Sequence, residues 1–379
     1  MPARGQPRVY NAVVWALGIA LLVAAAGCGG DEKRGVAGRG MCGTPGSDFS
    51  EPTTRLTYRG ATRLDRDIPV VCERLAALEI RHRARREGRD RIVIEVPSDR
   101  VAAVGVSELQ DVARTGRLSF YDWEANVVGP DGRPSPDDAS VTGGPAAGQV
   151  GALSLFDAIA RAGGRNADRD GDNARPGSVF YAVEPKARRV YGDGARTRAA
   201  ALADAPPPAR ERVEIREVKE GTVLLRAEQA ADVKSKPNRW FVLRDDVGLE
   251  GDEIRSPKQR FDEGPAGVGT PVVTFEFTPK GRKIWRDVTR TIARRGARAV
   301  GSLPGQDPSA NQHFAIVLDD EIVTVPFIDA RENPDGVDPR RGLQIGGGFT
   351  VASARQLATL LRSGALAVAL ELVAVTPSG

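Results

Sequence analysis

"GLQIGGGFTVASARQLATLLRSGALAVALELVAVTPSG", residues 342–379, is the stretch of the sequence that decides the fold. A short apolar strand leads into three glycines, and Thr350 stands where an N-cap residue begins a helix. Leucines at i and i+4 share one face of that helix, and Gly364 ends it. The apolar run that follows carries Glu371 and is shorter than a membrane span, so we expect a strand there.

The same strand, cap and helix design occurs further upstream. In "PVVTFEFTPKGRKIWRDVTRTIARRG", alternating apolar residues predict a strand, Thr278 is an N-cap and Pro279 occupies the first helical position. We expect Gly296 to stop this helix. "HFAIVLDDEIVTVPFI" predicts two strands joined by a turn at Asp319 and Asp320.

Residues 55–125 follow a β-α-β-α-β order, which predicts an α+β layer with its helices on one face. We expect its second helix to continue toward Gly116 in the C′ position, and the strand "RLSFYDW" to close the layer. Residues 126–212 are rich in Pro and Gly and predict an insertion with partial order, containing one short helix and one strand.

The composition favours a soluble globular protein of two or three domains. The chain has 379 residues, 41% of them hydrophobic and 27% charged, with a net charge of +4. Aromatic residues are only 5% and are not interleaved with the arginine clusters, so a mixed, solvated surface is favoured over nucleic-acid binding.

The N-terminus is typical of a targeting segment. Arginines precede about fifteen apolar residues, and the run ends in "AAGC" at Cys28. Residues 1–28 therefore predict a signal peptide with a lipobox, in which Cys28 is lipidated. The alternative is an uncleaved membrane anchor. In both cases residues 29–54, rich in Gly, are expected to form a flexible tether, and the remainder is expected to lie on the extracytoplasmic face of the membrane.

Beyond the anchor the chain has two cysteines, Cys42 and Cys72. An oxidising compartment permits a disulfide between them, and we predict one. The alternative is two unrelated thiols, one of them buried.

Signs of enzymatic chemistry are few. His82 and His313 are the two histidines, and both are read as surface or structurally satisfied residues. The sequence contains no HExxH, GxSxG or GxxxxGK[ST] stretch, so we expect neither catalysis nor a cofactor. Asn166, Asp168 and Asp170 alternate as in the first half of a calcium loop, but the expected glutamate at loop position twelve is Gly177. They are a weak calcium candidate beside a solvated acidic turn.

The closing stretch resembles the end of the first large extracytoplasmic domain of SecD, a membrane subunit of a protein-export complex. In that family an aliphatic residue, a glycine, Phe-Thr, a helix and Leu-Arg-x-Gly-Ala-Leu close the head subdomain and lead back to the base. "HFAIVLDDEIVTVPFI" is similar to the family's hairpin followed by a proline, and "GRDRIVIEVP" to a strand of its base. The resemblance covers roughly residues 55–125 and 213–375.

The resemblance implies an α+β fold with a base that is half of a ferredoxin-like unit (residues 55–125), a head (residues 213–341) and a C-terminal helix and strand returning to the base (residues 342–379). It also implies a set of candidate polypeptide-binding or family-motif residues. These are Phe275, Phe277, Trp285, Asp319, Pro326, Gly346, Phe349, Thr350, Arg362 and Gly364.

Three functional readings follow. The first is a membrane-anchored binding module that holds translocating polypeptide or docks on export translocase subunits. The second is a structural or sensory envelope lipoprotein that reuses the fold, in one form with calcium, and the third is an enzyme. In SecD the chain continues into a bundle of membrane helices that conducts protons. The sequence ends at Gly379, so we expect a chain without that bundle and infer no proton-driven role.

Overall fold

The structure is a computed structural model. It describes residues 41–43, 49–60, 64–129, 152–163, 177–227, 240–264, 268–301, 312–341, 343–346, 349–366 and 369–378. The predicted lipidation site Cys28 and the calcium candidates Asn166, Asp168 and Asp170 lie outside these ranges.

Helices and strands alternate irregularly along the chain, which confirms the α+β class. The strands are β1 (Met41–Gly43), β2 (Thr53–Arg59), β3 (Arg83–Glu87), β4 (Arg91–Pro97), β5 (Leu118–Asp122), β6 (Val179–Glu184), β7 (Arg189–Ala195), β8 (Glu214–Val218), β9 (Thr222–Ala227), β10 (Trp240–Arg244), β11 (Leu249–Glu250), β12 (Ile254–Phe261), β13 (Pro271–Phe277), β14 (Gln312–Leu318), β15 (Glu321–Thr324), β16 (Phe327–Ile328), β17 (Leu343–Ile345) and β18 (Glu371–Ser378). The helices are α1 (Leu64–Ala77), α2 (Ser98–Val104), α3 (Val106–Asp111), α4 (Trp123–Asn126), α5 (Leu155–Gly163), α6 (Arg198–Asp204), α7 (Pro279–Gly301) and α8 (Val351–Ser363).

The first sheet joins strands from both ends of the described chain. Its order is β1-β3-β4-β2-β18, with every neighbouring pair antiparallel. Alternate residues of a strand share a face, and Leu56, Tyr58 and Ile92 are fully buried on one face of this sheet. Helix α1 covers that face with Ile68 and Leu75. The last strand therefore completes the sheet that the first strands begin.

A disulfide joins Cys42 in β1 to Cys72 in α1, with their Cα atoms 6.5 Å apart. Strand β1 is the outermost strand of the first sheet and pairs with β3. The bond therefore ties the edge of the sheet to the helix that packs on it.

The second sheet has seven strands, with the order β10-β9-β15-β14-β5-β11 and β16 beside β14. Strand β5 pairs with β14 along its whole length, so it does not close the first layer as the predicted base boundary at residue 125 requires. The reason lies in its burial: Leu118, Ser119, Phe120 and Tyr121 are all buried. A strand buried on both faces suits the centre of a large sheet, which the order of elements alone does not reveal.

The third sheet is β12-β13-β17, and it shares one hydrophobic core with helices α7 and α8 and with the second sheet. Its core includes Val273 from β13, Ile292 from α7, Leu357 from α8 and Phe314 from β14. The aromatic rings of Phe120, Phe277, Trp285 and Phe314 meet largely edge to face, with neighbouring centroids 5.1–6.4 Å apart.

The insertion predicted over residues 126–212 contains more regular structure than expected. Strands β7, β6 and β8 form a fourth sheet, with Tyr181 and Val183 facing α5 in one cluster. Helix α6 packs against the same strands, and its Ala201 is fully buried. Helix α5 also contacts β9 and β10, so this unit is joined to the second sheet.

The predicted helix starts are confirmed and two helix ends are wrong. Thr278 Oγ1 accepts the Gly281 amide at 2.9 Å, and Thr350 forms a capping box with Ser353. Helix α7 continues through Gly296 to Gly301. Gly296 does not adopt the positive φ of a helix-ending glycine, and good helix formers follow it. Helix α3 ends at Asp111, well before Gly116.

No helix in the described part of the chain is both long enough and apolar enough to cross a membrane.

Candidate functional site

The first and second sheets meet at a loop of residues 112–117, here called the junction loop. Arg74 of α1 is 1% exposed, and its guanidinium contacts this loop. It donates hydrogen bonds to the carbonyls of Val112 at 2.9 Å, Thr115 at 3.1 Å and Gly364 at 2.9 Å. Burial lowers the pKa of Arg74 to about 10, so the group stays charged at neutral pH. A buried charge is satisfied here by backbone oxygens.

Asp319 holds the junction loop from the opposite side. Its carboxylate accepts the amides of Arg117 at 2.9 Å and Gly116 at 3.1 Å, and Arg114 Nε at 3.2 Å. Asp319 and Asp320 form the turn between β14 and β15 with φ values of +51° and +66°. Two positive φ angles in a two-residue turn suit the right-handed twist of a hairpin. The turn therefore presents the Asp319 carboxylate to the loop.

The C-terminal segment is bound to the same loop by its backbone. Leu366 N donates to the Thr115 carbonyl at 2.8 Å, and Leu370 N donates to the Ala113 carbonyl at 2.9 Å. Helix α1, the hairpin and the segment after α8 thus converge on the junction loop. The polar groups of the loop are hydrogen-bonded to these neighbouring elements. This arrangement is that of a structural connection between the two sheets.

A second charged cluster lies where β14 begins. Arg295 Nη1 donates to Asp122 Oδ2 at 2.8 Å. Glu124 is 5% exposed and accepts His313 Nδ1 at 2.6 Å and the His313 amide at 2.8 Å. These contacts fasten α7 to β5 and α4 to β14. Among the described residues, no group of three or more His, Cys, Asp or Glu side chains could hold a metal ion.

The third sheet ends in an edge strand, β12, whose outward backbone groups follow from the ladder. Asp262 N donates to Thr270 O, so residues 262 and 270 form a hydrogen-bonded pair of the β12–β13 hairpin. Hydrogen-bonded pairs alternate along an antiparallel ladder. Lys258 and Arg260 therefore bond to β13, while the N–H and C=O groups of Gln259 and Phe261 point away from it.

The side chains around this edge are apolar and basic. Phe261 is 54% exposed, and Val268, across the hairpin tip, is 74% exposed. Arg255, Lys258 and Arg260 are also exposed along β12. A register shift between Arg255 and Lys258 interrupts the ladder. The edge of β12 therefore offers backbone hydrogen-bonding groups, an aromatic ring and positive charge on one accessible surface.

The structure separates the predicted binding residues from this border. Phe275, Phe277 and Trp285 are 5%, 2% and 3% exposed, so their side chains pack the core and cannot contact a bound chain. They were named as candidate polypeptide-binding or family-motif residues, and their burial fits a family motif that maintains the core.

The remaining motif residues have local roles. Pro326 is buried, and its carbonyl accepts the Phe314 amide. Phe349 packs against the core, Thr350 caps α8, and Gly364 ends α8 with φ of +80°. Arg362 is exposed, while Gly346 lies partly buried just after β17.

Sequence reasoning missed both Arg74 and β12. Arg74 had a signal, because a charged residue next to the apolar stripe of Val71 and Leu75 needs buried partners. The strand "IRSPKQRF" has none of the usual signals. It contains Pro257 and three basic residues, and apolar and polar residues do not alternate along it.

Comparison with known proteins finds similarity in the C-terminal half of the chain. Residues 226–368 match the family model for SecDF, P1 head subdomain. The protein translocase subunit SecD of Calditerrivibrio nitroreducens is 31% identical over 126 residues, which cover 33% of this chain and 19% of the relative. Those of Rickettsia felis (29% over 143 residues, 38% and 22%) and Dictyoglomus turgidum (31% over 134 residues, 35% and 27%) are similar to a comparable extent. The resemblance to SecD is therefore confirmed for this part of the chain, which spans about a fifth to a quarter of these relatives.

Two solved structures are similar at a lower level. A crystal structure of SecDF in its super-membrane-facing form gives a TM-score of 0.44 at 17% identity, covering 86% of this chain and 30% of that one. A structure of the membrane component SecDF that enhances protein export gives 0.40 at 18% identity, covering 84% and 98%. At these TM-scores the overlay carries no argument about function.

Proposed function

We propose that the head, residues 213–341 with the return segment 342–379, holds extended polypeptide at the extracytoplasmic face of a membrane during protein export. The outer edge of β12, with which no described strand pairs, is the observation that carries this proposal. The match of residues 226–368 to a SecDF head subdomain supports it, because the matched relatives are translocase subunits.

The binding mode is addition of a strand to β12. An extended client places its backbone beside the edge and exchanges hydrogen bonds with the outward groups of Gln259 and Phe261. Backbone recognition suits clients of varied sequence. Pro257 and the register shift beside it limit the usable edge to about four residues. Binding is therefore short and weak, as a carrier that must release its client requires.

Side chains near the edge add a preference. Phe261 and Val268 offer apolar contact to alternate client residues. Lys258 and Arg260 lie two residues apart, on one face of β12, and favour acidic client residues opposite them.

The remaining parts of the chain are assigned as follows. The first sheet with α1 acts as a SecD-like base that supports the head through the junction loop. Cys28 is the lipid attachment point, which intact mass of the membrane-extracted protein tests. Holding requires no catalysis and no cofactor, and export translocase subunits are the expected partners.

Proline substitution at the edge tests the binding mode. Gln259→Pro removes one outward N–H without removing a ladder bond to β13, and edge strands tolerate proline at such positions. Loss of one backbone hydrogen bond costs about 1 kcal/mol, so we expect roughly fivefold weaker binding of an unfolded secretory precursor to the purified full chain. Delay of precursor folding measures the binding.

Gln259→Ala is the matched control. It removes the same side chain but keeps the N–H group, so it should bind like the wild type. Equal binding by all three proteins would reject strand addition at β12, and no binding by any of them would reject the holding role itself.

A scaffold role in an envelope complex is the second candidate function. The burial of Phe275, Phe277 and Trp285 favours it, since these motif residues maintain the fold. It predicts a wild-type chain that neither delays precursor folding nor forms crosslinks to a precursor.

A further inference from the structure

Strand β18 is the outermost strand of the first sheet, and no described strand pairs with its far side. It is eight residues long, with the sequence "ELVAVTPS". It contains no Lys or Arg, the residues that commonly keep exposed strand edges apart. Its one charged residue, Glu371, lies 3.7 Å from Arg59 of the neighbouring strand β2. The edge of β18 therefore lacks the positive charge that would repel a second strand.

The hydrogen bonds of β2 show which backbone groups of β18 point outward. Ser98 N donates to Pro52 O at 3.0 Å, and Gly60 N donates to Asp90 O at 2.8 Å, so hydrogen-bonded pairs stand at both ends of the β2–β4 ladder. Such pairs alternate along an antiparallel ladder. The even-numbered residues of β2, among them Leu56, therefore bond to β4, and the odd-numbered residues bond to β18.

The register between β2 and β18 carries this alternation to the edge. Thr376 stands opposite Arg55 and bonds to it, whereas Val375 stands opposite Leu56, whose backbone groups are turned toward β4. The N–H and C=O groups of Val375 therefore point away from the sheet. Pro377 points outward as well, but it offers a carbonyl and no N–H. The hydrogen-bonding edge is short and is centred on Val375.

The side chain of Val375 adds an apolar contact to this edge. Val375 lies on the same face of the sheet as the fully buried Leu56, yet it is 40% exposed. Helices α1 and α2 cover that face where they contact the strands from β1 to β2. The covered face thus ends in an exposed valine at the outer strand.

The edge of β18 is complementary to itself. When two copies meet antiparallel with Val375 opposite Val375, each valine donates its N–H to the other's carbonyl. Ala374 then stands opposite Thr376 of the second copy, so neither face brings like charges together. The two Glu371 residues lie four positions on either side of the two-fold axis, about 26 Å apart along the strands.

We propose that two copies of this chain associate through β18, so that their five-stranded first sheets join into one continuous sheet. The interface is isologous, as in most homodimers. Two backbone hydrogen bonds and one valine pair make it small, so the dimer is weak and reversible. The inference goes beyond the proposed function: it concerns the first sheet and requires no client polypeptide.

Sedimentation of the purified full chain over a range of concentrations tests the association. We expect a reversible monomer–dimer equilibrium. Val375→Pro removes the outward N–H of each copy without removing a bond to β2. Each lost backbone hydrogen bond weakens association roughly fivefold, so the dimer should dissociate roughly 25-fold more readily. Val375→Thr keeps the N–H and the branched shape, and it should remain close to the wild type.

Crosslinking tests the register independently of the proline variant. A short bis-maleimide should join two copies of Val375→Cys, and peptide mapping should locate the link between the two introduced cysteines. Val268→Cys, exposed on the β12–β13 hairpin, should not link to itself. Gln259→Pro should dimerise like the wild type, because it alters the edge of β12 and leaves β18 unchanged.

Three results would overturn the proposal. A wild-type chain that stays monomeric at every concentration would exclude the dimer. Equal dimerisation by wild type and Val375→Pro, with no link between cysteines at 375, would assign the contact to another surface. A monomeric wild type whose binding of an unfolded precursor is weakened by Val375→Pro would assign the edge of β18 to the client.

Discussion

Arg74 is a buried charge whose partners are backbone carbonyls on the junction loop and after α8. Arg74→Met keeps an apolar stem of similar length but leaves the carbonyls of Val112, Thr115 and Gly364 without their donor. Buried acceptors that lose a charged donor cost several kcal/mol, so we expect the free energy of unfolding to fall by about 3–5 kcal/mol. Urea denaturation measures the change.

The control for this variant is Arg355→Met, an exposed arginine on α8. Surface substitutions of this kind stay within about 0.5 kcal/mol. A loss as small as this in the Arg74→Met protein would contradict the structural role assigned to the junction loop.

At the residue scale, helix capping could be predicted from the sequence better than the burial of side chains could. Thr278 and Thr350 were recognised as caps because capping depends on a few neighbouring residues. Phe275 and Trp285 were named as polypeptide-binding or family-motif residues, and the sequence did not show that they lie in the core, because burial depends on what packs across a strand or helix. The Arg74 partners are 38 and more residues away in the chain, so no local pattern could name them.

At the scale of one helix, the end of α1 predicts a stabilising substitution. Ile80 N donates to the Leu75 carbonyl and Glu79 N donates to the Ala76 carbonyl, which is the Schellman pattern with Glu79 in the C′ position. Glu79 has φ of +56°, a conformation that glycine adopts without strain. We expect Glu79→Gly to raise the free energy of unfolding by about 0.5–1 kcal/mol.

The matched change is Glu73→Gly, at an exposed position within the same helix. There glycine should lower stability by about 1 kcal/mol. If the unfolding temperatures of both variants shift in the same direction, the left-handed conformation assigned to Glu79 is incorrect.

The start of α7 predicts a pH dependence. Glu253 accepts hydrogen bonds from Lys280 Nζ at 2.7 Å and from Thr278 Oγ1, and these hold the pKa of Glu253 below its ordinary value of 4.5. A lowered carboxyl pKa stabilises the fold fully above the unfolded value and loses that effect as the pH falls through the folded value. Stability should therefore decline below about pH 4.5, and Glu253→Gln should decline less steeply there.

Urea midpoints from pH 3 to pH 7 measure this slope, with Glu332→Gln, at an exposed glutamate, as the control. Identical slopes for wild type and Glu253→Gln would contradict the assigned hydrogen bonds.

At the element scale, strands and helices were predicted well where one face is apolar, as in β4, β13 and α8. The assignment of strands to sheets was not predicted well. Strand β5 pairs with β14, which lies about two hundred residues later in the chain. Strand β12 was missed because an edge strand carries proline and charges that mask its period.

For the whole molecule, the disulfide between Cys42 and Cys72 closes a loop with a sequence separation of 30 residues. Replacing both cysteines by serine should lower the free energy of unfolding by about 3–4 kcal/mol on the chain-entropy model. Reduction of the wild type should give the same loss. Free thiols at both positions in the native, unreduced protein, found by alkylation and peptide mapping, would contradict the bond.

Photo-crosslinking in living cells tests the central claim, that the head holds extended polypeptide during export, most directly. A photoreactive residue replaces Phe261, at the exposed end of β12, and a second protein carries it at Ala352 on α8. With a secretory precursor stalled during export, we predict adducts to the precursor from position 261 and none from position 352. Adducts from neither position, or equal adducts from both, would contradict the holding role assigned to the edge of β12.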